Sequence, residues 1–283
     1  KAMSNSVLTN ASALMALQNL NRTNDRLTEV QSRINTGLKV QGAKDNASIW
    51  AIAQNQRADM GSLEAVKTSL NRATSIADVS LAAGESISDL LIELKKIATA
   101  AADPSSTPES RQAYNDEFQA LLTSVTSFAR NATFDGENIL NGDSTDDLNF
   151  LADADSNEHI AMGRLNFTLE GLGLAAAGTP PVPVDVLTTT DAETTLGLVS
   201  DAIAAVSAGL AQLGAQAKQI ESHTTFVTRL SDALETGIGN LVDADMAKES
   251  ARLQALQVQQ QLGAQALSIA NQAPQIILSL FRN

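Results

Sequence analysis

The chain has 283 residues, a formal net charge of −13 and no cysteine, and it is 43% hydrophobic with only 3% aromatic residues. The acidity leaves no basic stripe to neutralise phosphates and so argues against a nucleic-acid partner; the absence of cysteine removes disulfides and thiolate metal sites. Abundant Ala and Leu, few aromatics and six prolines confined to a few places describe long helices packed through small side chains, so the expected fold is mainly α.

Residues 1–20 carry no basic region followed by an apolar run and a small-residue cleavage site. No unbroken stretch of about eighteen apolar residues suggests a membrane span. On these facts a cytoplasmic protein is expected unless export needs no cleaved signal.

The first element is a heptad helix whose seam runs Leu17, Leu20, Asn24, Leu27, Gln31, Ile34 and Leu38, with two polar members that cost stability and fix register. Gly37, Gly42 and the cap candidates Asp45 and Asn46 break the pattern and mark a joint. A second long helix follows, with seam residues Leu63, Val66, Leu70, Ala73, Ala77, Ser80, Gly84, Ile87, Leu91, Leu94 and Ala98; it stops before Asp103-Pro104. Trp50, the only tryptophan, reads as a core residue of this rod.

Thr107-Pro108 starts a third helix, cap first and proline at the first helical position, with a seam of Tyr114, Phe118, Leu121, Val125 and Phe128. Phe134-Asp135-Gly136 and Asn141-Gly142 then read as turns, and the short runs Leu148 to Leu151 and Leu165 to Leu169 as a small antiparallel strand pair. Gly171 to Thr190, with Pro180, Pro181 and Pro183, reads as a loop. The stretch between Gly142 and Ala192 is too short for an independent core and is expected to be a surface insertion.

Thr190 and Glu193 form a candidate capping box for the next helix. Its seam, Val199, Ile203, Val206, Leu210, Leu213, Ala217, Ile220, Thr224, Val227, Ser231, Leu234, Ile238 and Leu241, predicts a rod of roughly 70 Å. The same count then meets Asp245, Lys248 and Arg252, and charges in a seam mark a second joint. Beyond it two seams run side by side. One contains Leu262, Ala266, Ile269, Ala273, Ile276 and Leu280; the other contains Leu253, Leu256, Gly263, Leu267, Ala270 and Ile277. A helix apolar on more than one side needs partners on several sides.

The nested pattern predicts an elongated helical coiled-coil rod with a small β-hairpin insertion and paired terminal helices. Its expected parts are residues 1–40 with 243–283, residues 41–142 with 192–242, and a short insertion at 143–191. Residues near His159 do not fit a calcium loop, because Glu158 occupies the position that requires glycine when Asp153 is first. With two histidines and no nucleophile motif, neither a metal, a cofactor nor an enzymatic activity is expected.

The motifs resemble those of bacterial flagellin. Ile34-Asn35-Thr36-Gly37-Leu38-Lys39-Val40 followed by Ala43-Lys44-Asp45-Asn46-Ala47 is similar to the family's signature at its first joint. Phe134-Asp135-Gly136 with Ile139-Leu140-Asn141-Gly142 matches its mid-chain turn. Asp243-Ala244-Asp245-Met246-Ala247-Lys248-Glu249, Gln261-Leu262-Gly263, Ala270-Asn271-Gln272-Ala273 and Leu278-Ser279-Leu280-Phe281 match its C-terminal block. The resemblance is greatest to the short flagellins of alphaproteobacteria.

It implies an inner core domain of paired terminal helices and export through the type III flagellar apparatus without a cleaved signal. It also implies an extracellular filament built of copies of the chain, with an export chaperone and the hook-associated junction and cap proteins as partners. The assembly interface is then expected at Leu17, Leu20, Leu27, Ile34, Leu38, Leu253, Leu256, Leu262, Leu267, Ile269, Ile276, Ile277, Leu280 and Phe281, and the joints at Gly37, Gly42, Asp45, Asp245, Lys248 and Arg252. Glu93 stands where flagellins sensed by the vertebrate innate immune receptor carry arginine, so receptor recognition is not carried over.

Terminal helices that bury too little surface alone are expected to order on assembly. Taken alone, the terminal seams also fit an ordinary intramolecular coiled coil. The alternative functions are a hook-filament junction protein and a secreted monomeric helical effector or adaptor.

Overall fold

The computed structural model describes residues 10–176 and 182–280, with residues 273–280 described by backbone alone. Five helices and two strand pairs follow in the order α1 (Ala11–Thr36), α2 (Ala47–Ala101), α3 (Pro108–Asn131), β1 (Leu148–Leu151), β2 (His159–Met162), β3 (Ala175–Ala176), β4 (Val182–Pro183), α4 (Thr189–Val242) and α5 (Met246–Leu280). The mainly helical fold with paired terminal helices and small antiparallel pieces is as the heptad patterns predict. The chain divides into two compact units, Lys1–Ala58 with Ala233–Asn283, and Asp59–Asp232.

Local chemistry sets where the helices begin and end. Thr107 caps α3, its hydroxyl accepting the Ser110 N–H at 3.2 Å, with Pro108 at the first helical position. At the end of α2, the Arg111 guanidinium donates to the Ala101 carbonyl at 3.1 Å. The α4 cap corrects the expected capping box: Thr188, not Thr190, accepts the Asp191 N–H at 3.1 Å, and its hydroxyl meets the Asp191 carboxylate. Both pairs have the spacing of a cap, and the earlier one is where the chain leaves its extended course.

In the Asp59–Asp232 unit, the α2 seam is buried from Leu63 through Val66, Leu70, Ala73, Ala77, Ser80, Ile87, Leu91 and Leu94 to Ala98. Val199, Ala202, Val206, Leu213, Ile220 and Val227 of α4 are buried in the same unit, and α4 meets α2 where a methyl on Gly84 would run into the Leu210 side chain. The α3 seam keeps Phe118 and Val125 as expected and moves on by one residue at Tyr114, Leu121 and Phe128, where Asn115, Leu122 and Ala129 are buried instead. Phe118, Leu122, Val125 and Ala129 are buried, while Phe128 is exposed, because the helix presents Asn115 inward to hold the Val186 N–H at 3.2 Å.

The strand pairing also differs from expectation. Leu148–Leu151 forms β1, but its partner is His159–Met162, with Phe150 opposite Ile160 and Leu148 opposite Met162 on the inward face. The run from Leu165 instead bonds the mid-chain turn, Leu165 N–H to Ile139 O at 2.6 Å and Phe167 N–H to Leu140 O at 2.8 Å. That turn is closed by Phe134 and Glu137 around Asp135 and Gly136, both at positive φ, the two-residue form that suits a hairpin. Arg164 clamps it by donating to Glu137 Oε2 at 2.8 Å, to Asn138 O at 2.7 Å and to Asp146 O at 2.8 Å. The proline-containing segment, expected to be loop throughout, contributes the short pair β3–β4.

This middle stretch lies against the helices. Leu151 N–H donates to Ser69 Oγ at 3.1 Å, and Gln119 donates to Val184 O at 2.8 Å. His223 Nε2 lies 2.7 Å from Ala152 O. Phe167 is wedged at the glycines of α2 and α4: an added methyl at Gly209 would sit 2.9 Å from its Cζ, and one at Gly84 3.3 Å from its Cε2.

One further expectation is corrected. An 18-residue window of α4 has a mean hydropathy of 1.5, so by length and composition this helix meets the requirement for crossing a bilayer. Its apolarity is averaged over alanines and a few large residues rather than gathered in an unbroken run, and Val199, Val206 and Leu213 are buried in the unit's core.

Two substitutions test this packing by denaturant unfolding of the full chain. Phe167→Ala is expected to destabilise the Asp59–Asp232 unit by about 3–5 kcal/mol. Ser80→Ala is expected to stabilise it by about 1 kcal/mol, because the Ser80 hydroxyl is buried without a hydrogen-bond partner. An unmoved midpoint in the first, or a lowered one in the second, would contradict the packing described.

Candidate functional site

The paired terminal helices, α1 and α5, carry the features that point to assembly. On α5 one line of residues is turned toward α1: Glu249, Leu253, Leu256, Gln260, Gly263, Leu267 and Ala270, buried or half-buried at alternating steps of four and three. The α1 side offers Ala13, Ala16, Leu20, Asn24, Leu27, Val30 and Ile34. At the closest approach, a methyl on Gly263 would lie 3.2 Å from Leu20 Cδ1. A small residue there lets the helices approach closely.

The expected α1 seam is corrected at two places, the first at Leu17, which is exposed while its neighbour Ala16 is half-buried. Gln31 is exposed and its neighbour Val30 is the buried residue. Adjacent positions lie about 100° apart on a helix, so a seam read through Leu27 and Ile34 can pass on either side of that gap. Asn24, the other polar seam member, accepts a hydrogen bond from Gln260 at 2.8 Å across the pair, which links the helices at one fixed register. At the far end Asn10 caps α1 by accepting the Ala13 N–H at 3.1 Å and donates its amide to Ala270 O at 2.6 Å.

The two seams of α5 have separate fates. Leu253, Leu256 and Leu267 are half-buried against α1, whereas Leu262 is 64% and Ile269 63% exposed. Val258 continues this open line, and Leu14, Met15 and Leu17 are exposed on α1, Leu17 at 43%. Leu20, Leu27, Ile34 and Leu38 are half-buried. The side chains of Ile276, Ile277 and Leu280, and all of Phe281, lie outside the described residues.

The joint is a crossing of the chain's two ends. Leu38 and Asp243 form an antiparallel bridge, with Lys39 N–H donating to Val242 O at 2.8 Å and Ala244 N–H to Gly37 O at 2.7 Å. Gly37 makes the turn out of α1 at φ 73°, its own N–H returning to Arg33 O at 2.8 Å. Asp45 accepts the Gln41 and Gly42 N–H groups at 2.8 and 3.2 Å, and Asn46 caps α2 through the Ile49 N–H at 3.1 Å. Asp245 caps α5 by accepting the Lys248 N–H at 3.1 Å. Val40 and Val242 are buried beside this bridge.

Arg252 belongs to a cluster that sequence reasoning missed. It donates to Glu249 at 2.8 Å, and Arg33 of α1 lies 3.7 Å from the same carboxylate oxygen. The usable signal was Glu249's position, four residues before Leu253 in the α1-facing line. No group of three or more His, Asp or Glu side chains gathers as a metal site among the described residues.

Residues 7–145 match the family model of the bacterial flagellin N-terminal helical region, and residues 196–281 that of the bacterial flagellin C-terminal helical region. Flagellin FljM of Caulobacter vibrioides is 49% identical over 278 residues, an alignment spanning 98% of this chain and 99% of the relative. A Brucella melitensis flagellin is 39% identical over 282 residues, with the same shares of 98% and 99%. Among solved structures, a flagellar hook-associated protein of Vibrio parahaemolyticus superimposes with a TM-score of 0.57 on 70% of this chain and 100% of its own, at 11% identity, a likeness of fold.

The two joint glycines are expected to respond differently to alanine. Gly37→Ala strains a left-handed residue by about 1–2 kcal/mol and should speed amide exchange of Lys39 and Ala244 by at least about fivefold. Gly42→Ala, with no atom within 4 Å of the added methyl, should change it little. Equal effects from the two would contradict the geometry of the joint.

Proposed function

The chain belongs to the bacterial flagellin family and is a structural subunit that polymerises into the extracellular flagellar filament of motility, and on that footing we propose how its parts divide the work. Residues 1–40 with 243–283 form the filament's inner core, residues 41–142 with 192–242 its helical rod domain, and residues 143–191 a short insertion. The subunit works through surface complementarity, without a cofactor or a reaction of its own.

The observation that carries this proposal is the open apolar line Val258, Leu262 and Ile269 on a helix whose other line is already engaged with α1. Covering it with neighbouring subunits contributes on the order of 1.5–3 kcal/mol for each large side chain fully buried. Leu14, Met15 and Leu17 extend the same chemistry onto α1. Leu20, Leu27, Ile34, Leu38, Leu253, Leu256 and Leu267 set the paired scaffold that presents these faces.

Ordering is coupled to assembly. Val30 is the one buried apolar residue of α1 among the described residues. So thin a core cannot offset a backbone ordering cost of about 1–2 kcal/mol per residue. The helices therefore complete their folding when neighbours cover them. An unfolded terminus also suits passage through the flagellar export apparatus with an export chaperone, followed by contact with the hook-associated junction and cap proteins at the filament's ends.

Two experiments test this. A chain ending at Asp243, and separately Leu262→Asp with Ile269→Asp, are expected to stay monomeric where the full chain gives long fibres in negative-stain microscopy; the double substitution should raise the critical concentration at least about 100-fold. Fibres from either at the full chain's concentration would remove the assembly role of α5. By amide exchange, residues 11–24 and 256–272 are expected to be open in the free chain and protected in fibres; strong protection in the free chain would refute coupled ordering.

A further inference from the structure

Among the described residues, one charged side chain is buried in the terminal-helix unit. Glu249, in the first turn of α5, is 5% exposed, and its Oε2 has no hydrogen-bond partner. Its Oε1 accepts from Arg252 at 2.8 Å, three residues on in the same helix. The cation of the facing helix, Arg33, stands 3.7 Å away, beyond hydrogen-bond length, and gives its closer bond of 2.5 Å to Glu29 of its own helix.

This division of bonds runs against need. Glu29 is 56% exposed and solvated by water, whereas the orphan oxygen of Glu249 is not. Closing by about one ångström would bring Arg33 into hydrogen-bond reach of Glu249 Oε1, and a planar guanidinium, which can bind a carboxylate through two parallel bonds, would then serve Oε2 as well. The helix would surrender only an exposed i,i+4 pair. Val30, Val40 and Val242 are buried in the same unit, and the Leu38–Asp243 bridge adjoins Val242.

We propose that Arg33, Glu249 and Arg252 form a two-position latch, in which Arg33 exchanges between Glu29 on its own helix and the unpartnered oxygen of Glu249, and that the closed position nucleates the pairing of α1 with α5. The latch deepens the assembly-coupled ordering proposed above. It supplies the ordered stub beside the joint from which the remaining turns zip when neighbouring subunits arrive. Arg33 and Glu249 are positioning residues that act through the helices they join.

Amide exchange on the free full-length chain tests it. Residues 27–36 and 246–253 should be measurably protected, and Glu249→Gln or Arg33→Gln should reduce that protection at least about tenfold. If Glu249 were only a desolvated charge, conversion to the neutral isostere would raise protection, and that result would overturn the latch. Glu29→Gln supplies a second sign. Releasing Arg33 to Glu249 should raise protection of the stub about twofold, whereas loss of an ordinary i,i+4 pair would lower it by a similar factor; a fall or no change would count against the exchange. Unaltered protection in the Asp59–Asp232 unit verifies that each variant folds. Protection of residues 11–24 and 256–272 in the free chain would defeat coupled ordering while leaving the latch's sign pattern intact, so the two failures are distinguishable.

Discussion

The terminal-helix unit depends on a short crossing of backbone. Lys39 N–H reaches Val242 O and Ala244 N–H reaches Gly37 O, which joins segments some two hundred residues apart in the chain. Most helical stability in proteins comes from tertiary packing of an apolar face rather than from propensity, so α1 and α5 need a reference that sets where one ends and the other begins. The bridge supplies it. Gly37 turns the chain out of α1 and Asp245 caps the start of α5, so the last turn of α1 and the first turn of α5 are fixed at the same point. The contacts along the pair, from Glu249 through Asn24–Gln260 to Asn10–Ala270, follow from that common origin.

From that origin the apolar residues of α5 are divided between two tasks. The line through Leu253, Leu256, Gly263 and Leu267 is engaged within the chain, and the line through Val258, Leu262 and Ile269 is left in water. A monomeric protein gains nothing from leaving such side chains exposed in a row, and a polymer subunit requires it. The two lines also differ in bulk. Gly263 and Ala270 keep α1 close, while the open line carries the branched side chains of Val258, Leu262 and Ile269.

The Asp59–Asp232 unit solves a different problem, since it has a conventional core. Its α2 and α4 surfaces are long and rich in small residues, which leaves gaps that aliphatic seams alone do not fill. The segment between α3 and α4 fills them, with Phe150, Ile160, Met162, Phe167 and Leu174 buried along the helices. Phe167 sits where Gly84 and Gly209 make room for a ring. The lateral helix α3 meets the same segment through Asn115 and Gln119, whose amides bond its backbone.

Much of this was determined by the sequence itself. Heptad spacing located all five helices, and Thr107-Pro108, Gly37, Asn46 and Asp245 marked their ends, because caps and turns are chemistry within a few residues. The double seam on α5 and the charged break at Asp245, Lys248 and Arg252 were likewise visible. What only the tertiary structure decided was phase and partner. Val30 rather than Gln31, and Leu122 rather than Leu121, face inward, and β1 pairs with His159–Met162 rather than with the run from Leu165. Which α5 line meets α1, and that Glu249 is buried with one oxygen unsatisfied, were decided at the same level. Neighbouring residues on a helix differ by about 100°, and several short alternating runs can pair equally well in isolation. Only the surface that arrives from elsewhere in the chain breaks those ties.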